Sequence, residues 1–239
     1  MISIIIPTLN EESVIEKTLS ALKQKLTIPH EIIVSDGVSS DATVEIAKKY
    51  ADQVVVYSGQ KKQTIGQGRN EGARVAHGEF LVFLDADCCI ENPDAFFTKA
   101  AEDFMDSSLV GVTGPLRVLP HCESFIDKIV FGANNLFIFI SNNIFHKGAA
   151  SGEFQMIRKD TFVKLGGYNE LLPVSEDMEM FSRLSKVGRT FFDRNLSVYH
   201  TGRRAHRIGW PRLLCLWFIN FTWVTLFKKS FLKEWKQVR

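Results

Sequence analysis

Short apolar runs alternate with segments of helical periodicity along the first half of the chain. Between the apolar runs, apolar side chains recur every three or four residues, which is typical of amphipathic helices. The pattern predicts strands at 2–6, 31–35, 53–57 and 80–84, and helices from Glu11, from Ser40 or Asp41 to Tyr50, and over 68–77. We expect Pro7 to stop the first strand, Asn10 to cap the first helix and Gly78 to cap the third.

This alternation of strand and helix predicts a mainly parallel sheet with helices on both faces. In such sheets ligands bind beyond the carboxyl ends of the strands. Three sets of residues follow predicted strands at that edge, namely Pro7 with Thr8, Asp36, and Asp85 with Asp87. The sequence therefore predicts a ligand site at this edge of the sheet.

The segment FLVFLDAD, residues 80–87, carries the strongest chemical signal. Side chains alternate along an extended chain, so Asp85 and Asp87 lie on the same side and their carboxylates repel each other. A divalent cation between them, or a ligand that carries one, relieves this repulsion. A solvated acidic loop is the alternative explanation.

The second half of the chain has a mixed pattern. It predicts helices at 93–104, 159–165 and 176–187, extended segments at 109–119, 152–158, 190–193 and 196–199, and long apolar stretches at 127–145 and 213–227. We favour one mixed α/β domain over 1–200, with 201–239 as a C-terminal appendage.

The appendage differs from the rest of the chain in charge. Residues 203–239 contain nine Lys or Arg and one acid, Glu234, whereas 1–202 contain 20 basic and 26 acidic residues. An acidic body with a basic tail indicates an anionic partner, such as a membrane surface or phosphates. Nucleic acid is disfavoured because the centre of the tail is apolar.

Residues 213–227 contain no charged side chain. A helix of this length is roughly 22 Å long, short of the roughly 30 Å hydrocarbon core of a bilayer. Trp217 and Trp223, with Lys228 and Lys229 after the segment, favour a helix that lies in the membrane interface. A core helix, or a contact with a second copy of the chain, is the alternative.

The cysteines favour a cytoplasmic location. Cys88, Cys89, Cys122 and Cys215 show no CxxC spacing, so reduced thiols are the simplest account. The apolar run at 2–6 is too short for a signal peptide and lacks a basic leader.

Four motifs in order resemble the family-2 glycosyltransferases of the GT-A fold. They are PTLNEE at 7–12, VSDGVSSD at 34–41, GRNEGARVAHGEFLVFLDAD at 68–87 and SEDMEMFSRLSKVG at 175–188, and RKDTFVKLGGYNE at 158–170 is also similar. The resemblance implies a Rossmann-like α/β fold in which about 1–105 bind the nucleotide sugar and 106–200 the acceptor. It also implies sugar transfer from a nucleotide diphosphate donor, usually with inversion, using Mg²⁺ or Mn²⁺.

The resemblance also implies roles for individual residues. Those expected to bind the donor are Pro7, Thr8, Asn10, Glu11, Asp36, Arg69, Asp85, Ala86, Asp87, Arg203 and Arg204. Asp87 would bind the metal, Asp85 would contact the ribose or bind the metal through water, and His200 would complete the metal shell. Asp177 would be the general base, with Glu176 and Glu179 as the alternatives.

Each of these residues also has an ordinary structural explanation. Asn10 would cap a helix, Asp36 would stabilise a turn, and Arg69 would lie on the surface. Glu176 and Asp177 would favour a helix N-terminus through its dipole.

We therefore expect a metal-dependent, inverting glycosyltransferase bound peripherally to the cytoplasmic face of the cell membrane. Its acceptor would be a polyprenyl phosphate, another lipid-linked molecule or a growing glycan. A sugar nucleotidyltransferase is a first alternative, although PTLNEE at 7–12 is acidic where that class has a glycine-rich basic loop. A non-catalytic nucleotide-sugar-binding or membrane scaffold protein is a second.

Overall fold

The computed structural model describes residues 1–227, 229–232 and 234. Its strands are β1 (Ile2–Thr8), β2 (His30–Asp36), β3 (Gln53–Val56), β4 (Phe80–Leu84), β5 (Leu109–Thr113), β6 (Leu116–Val118), β7 (Phe154–Arg158), β8 (Arg189–Phe192) and β9 (Val198–His200). Seven of these form one sheet in the order β3-β2-β1-β4-β7-β5-β8, and β6 pairs with β9. In the large sheet β7 runs antiparallel to both its neighbours, and the other pairings are parallel. The predicted mainly parallel sheet is confirmed.

Helices cover both faces of the large sheet. They are α1 (Ile15–Lys25), α2 (Thr43–Tyr50), α3 (Ile65–Val75), α4 (Pro93–Asp103), α5 (Phe125–Phe139), α6 (Lys159–Lys164), α7 (Glu176–Leu184), α8 (Arg203–Ile208) and α9 (Trp210–Phe227), with a π-helical turn at Ile140–Ile144. Ile4 of β1 belongs to the buried cluster with Leu19 of α1 and Phe97 of α4. Ile5 belongs to the opposite cluster, with Ala73 of α3 and Phe181 of α7. Successive side chains of β1 point to opposite faces of the sheet, so this strand contributes to the buried clusters on both faces.

The first strand is longer than predicted. β1 pairs with β2 from Ile2 to Thr8 but with β4 only as far as Ile5. Pro7 therefore lies in the strand, where the pairing with β4 has already ended. Proline has no N–H to donate. At Pro7 only β2 is paired with β1, so the missing donor disrupts fewer hydrogen bonds between strands.

The prediction that Asn10 caps the first helix is wrong. α1 begins at Ile15, and its N-cap, Val14, has no side-chain capping bond. Asn10 instead has a left-handed backbone, with φ of 55°. Its Oδ1 accepts a hydrogen bond from the N–H of Ser40 at 2.8 Å. The side chain of Asn10 thus binds the loop at Ser40 and does not cap α1.

The third helix begins earlier than predicted because Thr64 and Gln67 form a capping box at its start. It ends at Val75, and its C-cap is Ala76 rather than Gly78. Gly78 has a different role, since a Cβ there would lie 2.7 Å from the backbone N of Ser3. Glycine permits the close approach of this turn to β1.

The C-terminal helices pack against a smaller apolar layer. Leu116 and Val118 of β6, Phe131 of α5, and Trp210 and Leu213 of α9 share one buried cluster. The rings of Phe131 and Trp210 meet edge to face, with 5.3 Å between their centroids. The appendage is thus in contact with the domain that precedes it.

Asp127 of α5 ties this layer together. Its carboxylate is fully buried, accepts from Trp210 Nε1 at 2.7 Å and lies 2.8 Å from Nε2 of His206. Burial would raise the pKa of Asp127, but hydrogen bonds from His206, Ser124 and Trp210 lower it to about 2. The carboxylate is therefore ionised, and it links α5 to α8 and α9.

Several apolar side chains of α9 are exposed to solvent. Leu214, Phe218, Trp223 and Phe227 are exposed, whereas Asn220 is buried. Among the described residues, helices with the length and hydropathy needed to cross a bilayer are absent. Part of the basic charge counted in the sequence, on Lys228, Lys233 and residues 235–239, falls outside the described residues.

Candidate active site

Arg69 of α3 lies at the centre of a buried polar cluster beyond the end of β4. Its side chain is 1% exposed, and Nη1 donates to Oε1 of Glu176 at 2.8 Å. Nη2 donates to the carbonyl of Gly152 at 2.8 Å and to Oδ1 of Asp85 at 3.3 Å. The guanidinium also stands 5.3 Å from the ring centroid of Tyr168. The alternative of a surface arginine is wrong, because the helix begins at Ile65 and turns Arg69 inward.

The groups around Arg69 stabilise its positive charge. Burial alone would lower the pKa of Arg69, but Tyr168 and the carboxylates of Glu176, Asp85 and Asp177 raise it above its ordinary value. The guanidinium therefore stays protonated at any physiological pH.

The carboxylates nearby carry more charge than Arg69 balances. Burial raises the pKa of Asp85 to about 6, and Asp87 and Asp177 add to that rise while Arg69 opposes it. Burial also raises the pKa of Glu176, which lies beside Asp177, and that of Asp177 itself. A site with this surplus of negative potential favours a bound cation.

Asp177 is the more accessible of the two adjacent acids at the start of α7. Its Oδ1 accepts from the N–H of Met178 at 2.7 Å. A Cβ on Gly152 would lie 3.3 Å from Asp177 Oδ2 and 3.0 Å from Arg69 Nη2, so glycine leaves room for both groups. Glu176 is buried and engaged by Arg69, whereas Asp177 is half-buried. This geometry favours Asp177 over Glu176 as the group that contacts a substrate.

Arg203 of α8 connects two loops at the carboxyl edge of the sheet. Its Nε lies 3.2 Å from Oδ2 of Asp87, and its Nη2 lies 2.9 Å from Oε2 of Glu11. The hydroxyl of Thr201 also donates to Asp87 Oδ2 at 3.2 Å. The structure thus brings together three predicted donor-binding residues that are distant in sequence.

Asp36 and Thr8 form a separate hydrogen-bonded cluster at the ends of β2 and β1. Thr8 Oγ1 donates to Oδ1 of Asp36 at 2.9 Å, and the N–H of Ser39 donates to its Oδ2 at 2.7 Å. Both predicted residues are buried, and Asn10 lies nearby in the next loop. These contacts make Asp36 a turn-stabilising residue, and its contact with a nucleoside stays a prediction.

The other predicted donor-binding residues lie along the same edge. Pro7 pairs with Ser35 near the end of β1, and Arg204 lies in α8. Ala86 is buried, and its carbonyl accepts from Thr18 Oγ1 at 2.7 Å. Their donor-binding roles stay predictions.

His200 lies at the end of β9, and its metal-binding role stays a prediction. Its Nε2 is buried without a hydrogen-bond partner, and its ring packs edge to face on Phe131 with centroids 4.9 Å apart. Burial lowers the pKa of His200, although Asp87 and Asp127 oppose this effect, so the ring is neutral near pH 7. Neutral imidazole is the form that binds metals.

The side chains are not gathered into a finished metal site. In the part of the chain that the structure describes, groups of three or more His, Cys, Asp or Glu placed to hold a metal ion are absent. One oxygen of Asp87 is engaged by Arg203 and Thr201. The donor chemistry of Asp85, Asp87 and His200 fits a divalent cation, but Asp87 would have to change its contacts.

Sequence reasoning missed Glu153, which immediately precedes β7. Burial raises the pKa of Glu153 to about 8, and the charge of Asp85 contributes. The carbonyl of Glu153 accepts from the N–H of Asp85 at 3.2 Å. The antiparallel register that pairs Leu84 with Phe154 brings these residues together, and no local pattern in the sequence indicates it.

A mainly parallel sheet with one antiparallel strand, and an Asp-X-Asp segment facing an acidic helix start, define a GT-A type nucleotide-sugar transferase fold. The family described as Glycosyl transferase family 2 matches residues 3–160, and the chain belongs to that family. The family and the fold predicted from the sequence motifs are confirmed.

Curated relatives share about a quarter of their residues with this chain. The O-antigen chain rhamnosyltransferase WbaN of Salmonella anatum is 27% identical over 222 residues, covering 88% of this chain and 69% of the relative. The succinoglycan biosynthesis protein ExoA of Rhizobium meliloti (strain 1021) is 27% identical over 219 residues, covering 87% and 65%. The chain thus spans about two thirds of the length of these relatives.

Solved structures support the fold. The mannosyltransferase PcManGT from Pyrobaculum calidifontis, in complex with GDP-Man and Mn²⁺, gives a TM-score of 0.66 at 18% identity, covering 84% of this chain and 56% of that one. S. aureus TarS 1–349 in complex with UDP-GlcNAc gives a TM-score of 0.59 at 20% identity, covering 83% and 57%.

Proposed function

We propose that the protein is a metal-dependent, inverting glycosyltransferase that moves a sugar from a nucleotide diphosphate donor to an acceptor at the cytoplasmic face of a membrane. The observation that carries this proposal is the convergence of the Asp85–Asp87 segment and Asp177 on the buried Arg69. Such a transfer needs groups that hold the diphosphate and a base for the acceptor, and this edge of the sheet offers both.

The relatives support the class of donor and acceptor. The structure of PcManGT contains GDP-Man and Mn²⁺, and that of TarS contains UDP-GlcNAc. WbaN is named for the O-antigen chain and ExoA for succinoglycan biosynthesis. We infer a nucleotide diphosphate sugar as donor, and a glycan or lipid-linked molecule as acceptor.

Asp85, Asp87 and His200 would hold Mg²⁺ or Mn²⁺. Carboxylates suit both ions, and the imidazole of His200 would be a softer ligand than they are. A bound divalent cation supplies charge that stabilises the diphosphate as it leaves. If Asp87 turns from Arg203 to the cation, Nε of Arg203 becomes available to bind phosphate oxygens while Nη2 stays paired with Glu11.

Asp177 would take the proton from the acceptor hydroxyl as that oxygen attacks the anomeric carbon of the sugar. Its raised pKa makes it a better proton acceptor than an exposed aspartate. Arg69 and Glu176 would fix the start of α7 so that Asp177 keeps its orientation. With a phosphate acceptor, Asp177 would position that group, because a phosphate needs no strong base.

The exposed aromatic side chains of α9 would dock on the membrane. Phe218 is 72% exposed and Phe227 54%, and Trp223 lies between them in sequence. Exposed aromatic side chains favour the interfacial region of a bilayer. A contact with a second copy of the chain is the competing explanation.

The proposed activity can be tested by ligand-induced stabilisation followed by product analysis. A panel of nucleotide diphosphate sugars is added to the protein with Mn²⁺ or with EDTA, and the melting temperature is recorded. We expect at least one donor to raise it in Mn²⁺ and to raise it less in EDTA, because a ligand that binds the folded state stabilises it.

The donor found in this way is then incubated with the protein, and its products are analysed. Release of nucleoside diphosphate and sugar supports the proposal. Inorganic diphosphate would indicate a nucleotidyltransferase instead. If every donor left the melting temperature unchanged, the proposed function would be refuted.

A further inference from the structure

The residue before the two acids of α7 has an unusual backbone. Ser175 is the N-cap of α7 and is left-handed, with φ of 67° and ψ of 22°, and its side chain makes no capping bond. Residues other than glycine adopt this conformation when the surrounding structure holds them there. The contacts that keep Ser175 in this conformation also set the orientation of Glu176 and Asp177 at the start of α7.

Asn220 of α9 makes such a contact with Ser175. Its Nδ2 donates to Oγ of Ser175 at 2.9 Å. Asn220 is 1% exposed, although Phe218, two residues earlier, is 72% exposed. An amide on a mainly apolar helix has therefore turned toward the catalytic domain, where its hydrogen bonds offset the cost of burial.

The other end of the same amide binds the chain that follows α9. Oδ1 of Asn220 accepts from the hydroxyl of Ser230 at 2.7 Å and from the N–H of Phe231 at 3.1 Å. The ring of Phe231 packs against Trp223, with 5.4 Å between centroids. Asn220 thus joins three segments: α9, residues 230–231 and the loop that carries Asp177.

We propose that Asn220 is a positioning residue that orients Asp177 through Ser175. This role rests on the proposed function in one respect, which is that Asp177 acts on the acceptor. Small displacements of a catalytic group cost rate without necessarily weakening donor binding. The C-terminal helix is therefore part of the catalytic architecture as well as a docking surface.

The main test compares Asn220→Ala with Thr222→Ala. Thr222 lies on the same helix, and its hydroxyl donates within that helix, to the carbonyl of Phe218 at 2.8 Å. We expect Asn220→Ala to lower kcat by about tenfold or more while the KM for the donor stays within about twofold. Thr222→Ala should match the wild type in both. Equal kcat for Asn220→Ala and Thr222→Ala would overturn the proposal.

A double-mutant cycle distinguishes a role of Asn220 in orienting Asp177 through Ser175 from a general loss of structure. Ser175→Gly permits the left-handed backbone without the hydroxyl contact. In that background Asn220→Ala should lower kcat by a smaller factor than it does in the wild type. The same factor in both backgrounds would show that Asn220 acts by another route and would reject the role.

Hydrogen–deuterium exchange provides a readout that does not need turnover. We expect amides in residues 174–180 to exchange faster in Asn220→Ala than in Thr222→Ala. Unchanged exchange would overturn the link between Asn220 and this loop. A wild-type protein that transfers no sugar, but whose loop loosens in Asn220→Ala, would refute the proposed function and the catalytic role of Asn220 while confirming the contact.

Discussion

Nη1 of Arg69 lies 2.8 Å from Oε1 of Glu176, and 1% and 6% of the two side chains are exposed. The residues come from α3 and α7, which cover the same face of the sheet. A buried ion pair need not stabilise a protein more than apolar residues would, but loss of one partner leaves the other charge buried and unpaired. The pair therefore ties the geometry of the site to the stability of the fold.

We expect Arg69→Met to lower the free energy of unfolding by about 3–5 kcal/mol, because Glu176 would be left without its cation. Arg74→Met is the matched control, since Arg74 lies on the same helix with 57% of its side chain exposed and pairs with Glu71 and Glu170. Its effect should stay within about 1 kcal/mol. Urea denaturation measures both, and similar losses would contradict the assignment of Arg69 as a buried structural cation.

Asp87 and Asp177 should affect the reaction in different ways. Asp177→Asn should lower kcat by about 10²–10⁴-fold with little change in donor affinity, because it removes the base but not the diphosphate site. Asp87→Asn should weaken Mn²⁺-dependent donor binding as well as turnover. Steady-state kinetics and donor-induced melting shifts separate the two effects. Glu102→Gln, an exposed substitution on α4, is the control. Near-normal turnover in the Asp177 variant would reject its role as base.

Glu153 should make the metal-free protein less stable as pH rises. Its pKa lies at about 8 in the folded protein against an ordinary value of 4.5. Across that range the folded state binds more protons than the unfolded state, so the free energy of unfolding falls as pH increases. Glu153→Gln removes this titration.

The measurement is the melting temperature in EDTA from pH 5 to pH 9, for the wild type and Glu153→Gln. We expect the wild type to lose stability relative to the variant with increasing pH. Mn²⁺ should reduce that loss, because a cation compensates the carboxylates. A wild type that gained stability relative to the variant would contradict the buried, proton-binding environment assigned to Glu153.

Phe218 should contribute to membrane docking. Phe218→Ser should weaken binding to phosphatidylglycerol vesicles by about tenfold, because an exposed aromatic side chain loses its transfer into the interface. Met105→Ser is the control, since Met105 is 85% exposed and lies beyond the end of α4 rather than on α9. Co-sedimentation with vesicles measures the effect. A protein that ignores vesicles and forms dimers sensitive to Phe218→Ser would favour the alternative contact.

The sequence predicted the elements well wherever local periodicity decides them. The strand at 80–84 matches β4 residue for residue, and strands β2, β3 and β7 lie within two residues of their predicted bounds. Helix starts differ in how well the sequence predicts them: α4, α6 and α7 begin at the predicted residues, whereas α1 and α3 do not. Asn10 does not cap the first helix, and its left-handed backbone is held by the loop at 39–40.

By itself, the sequence determined the order of strands and helices, the mainly parallel sheet and the placement of Asp85 and Asp87 at the end of β4. These features follow from the alternation of apolar and polar positions over a few residues. Only the tertiary structure decided which polar side chains meet: Arg69 with Glu176, Arg203 with Glu11 and Asp87, and Asn220 with Ser175. Such contacts depend on the order of strands, the reversal of β7 and the packing of α9, and a short-range pattern cannot encode them.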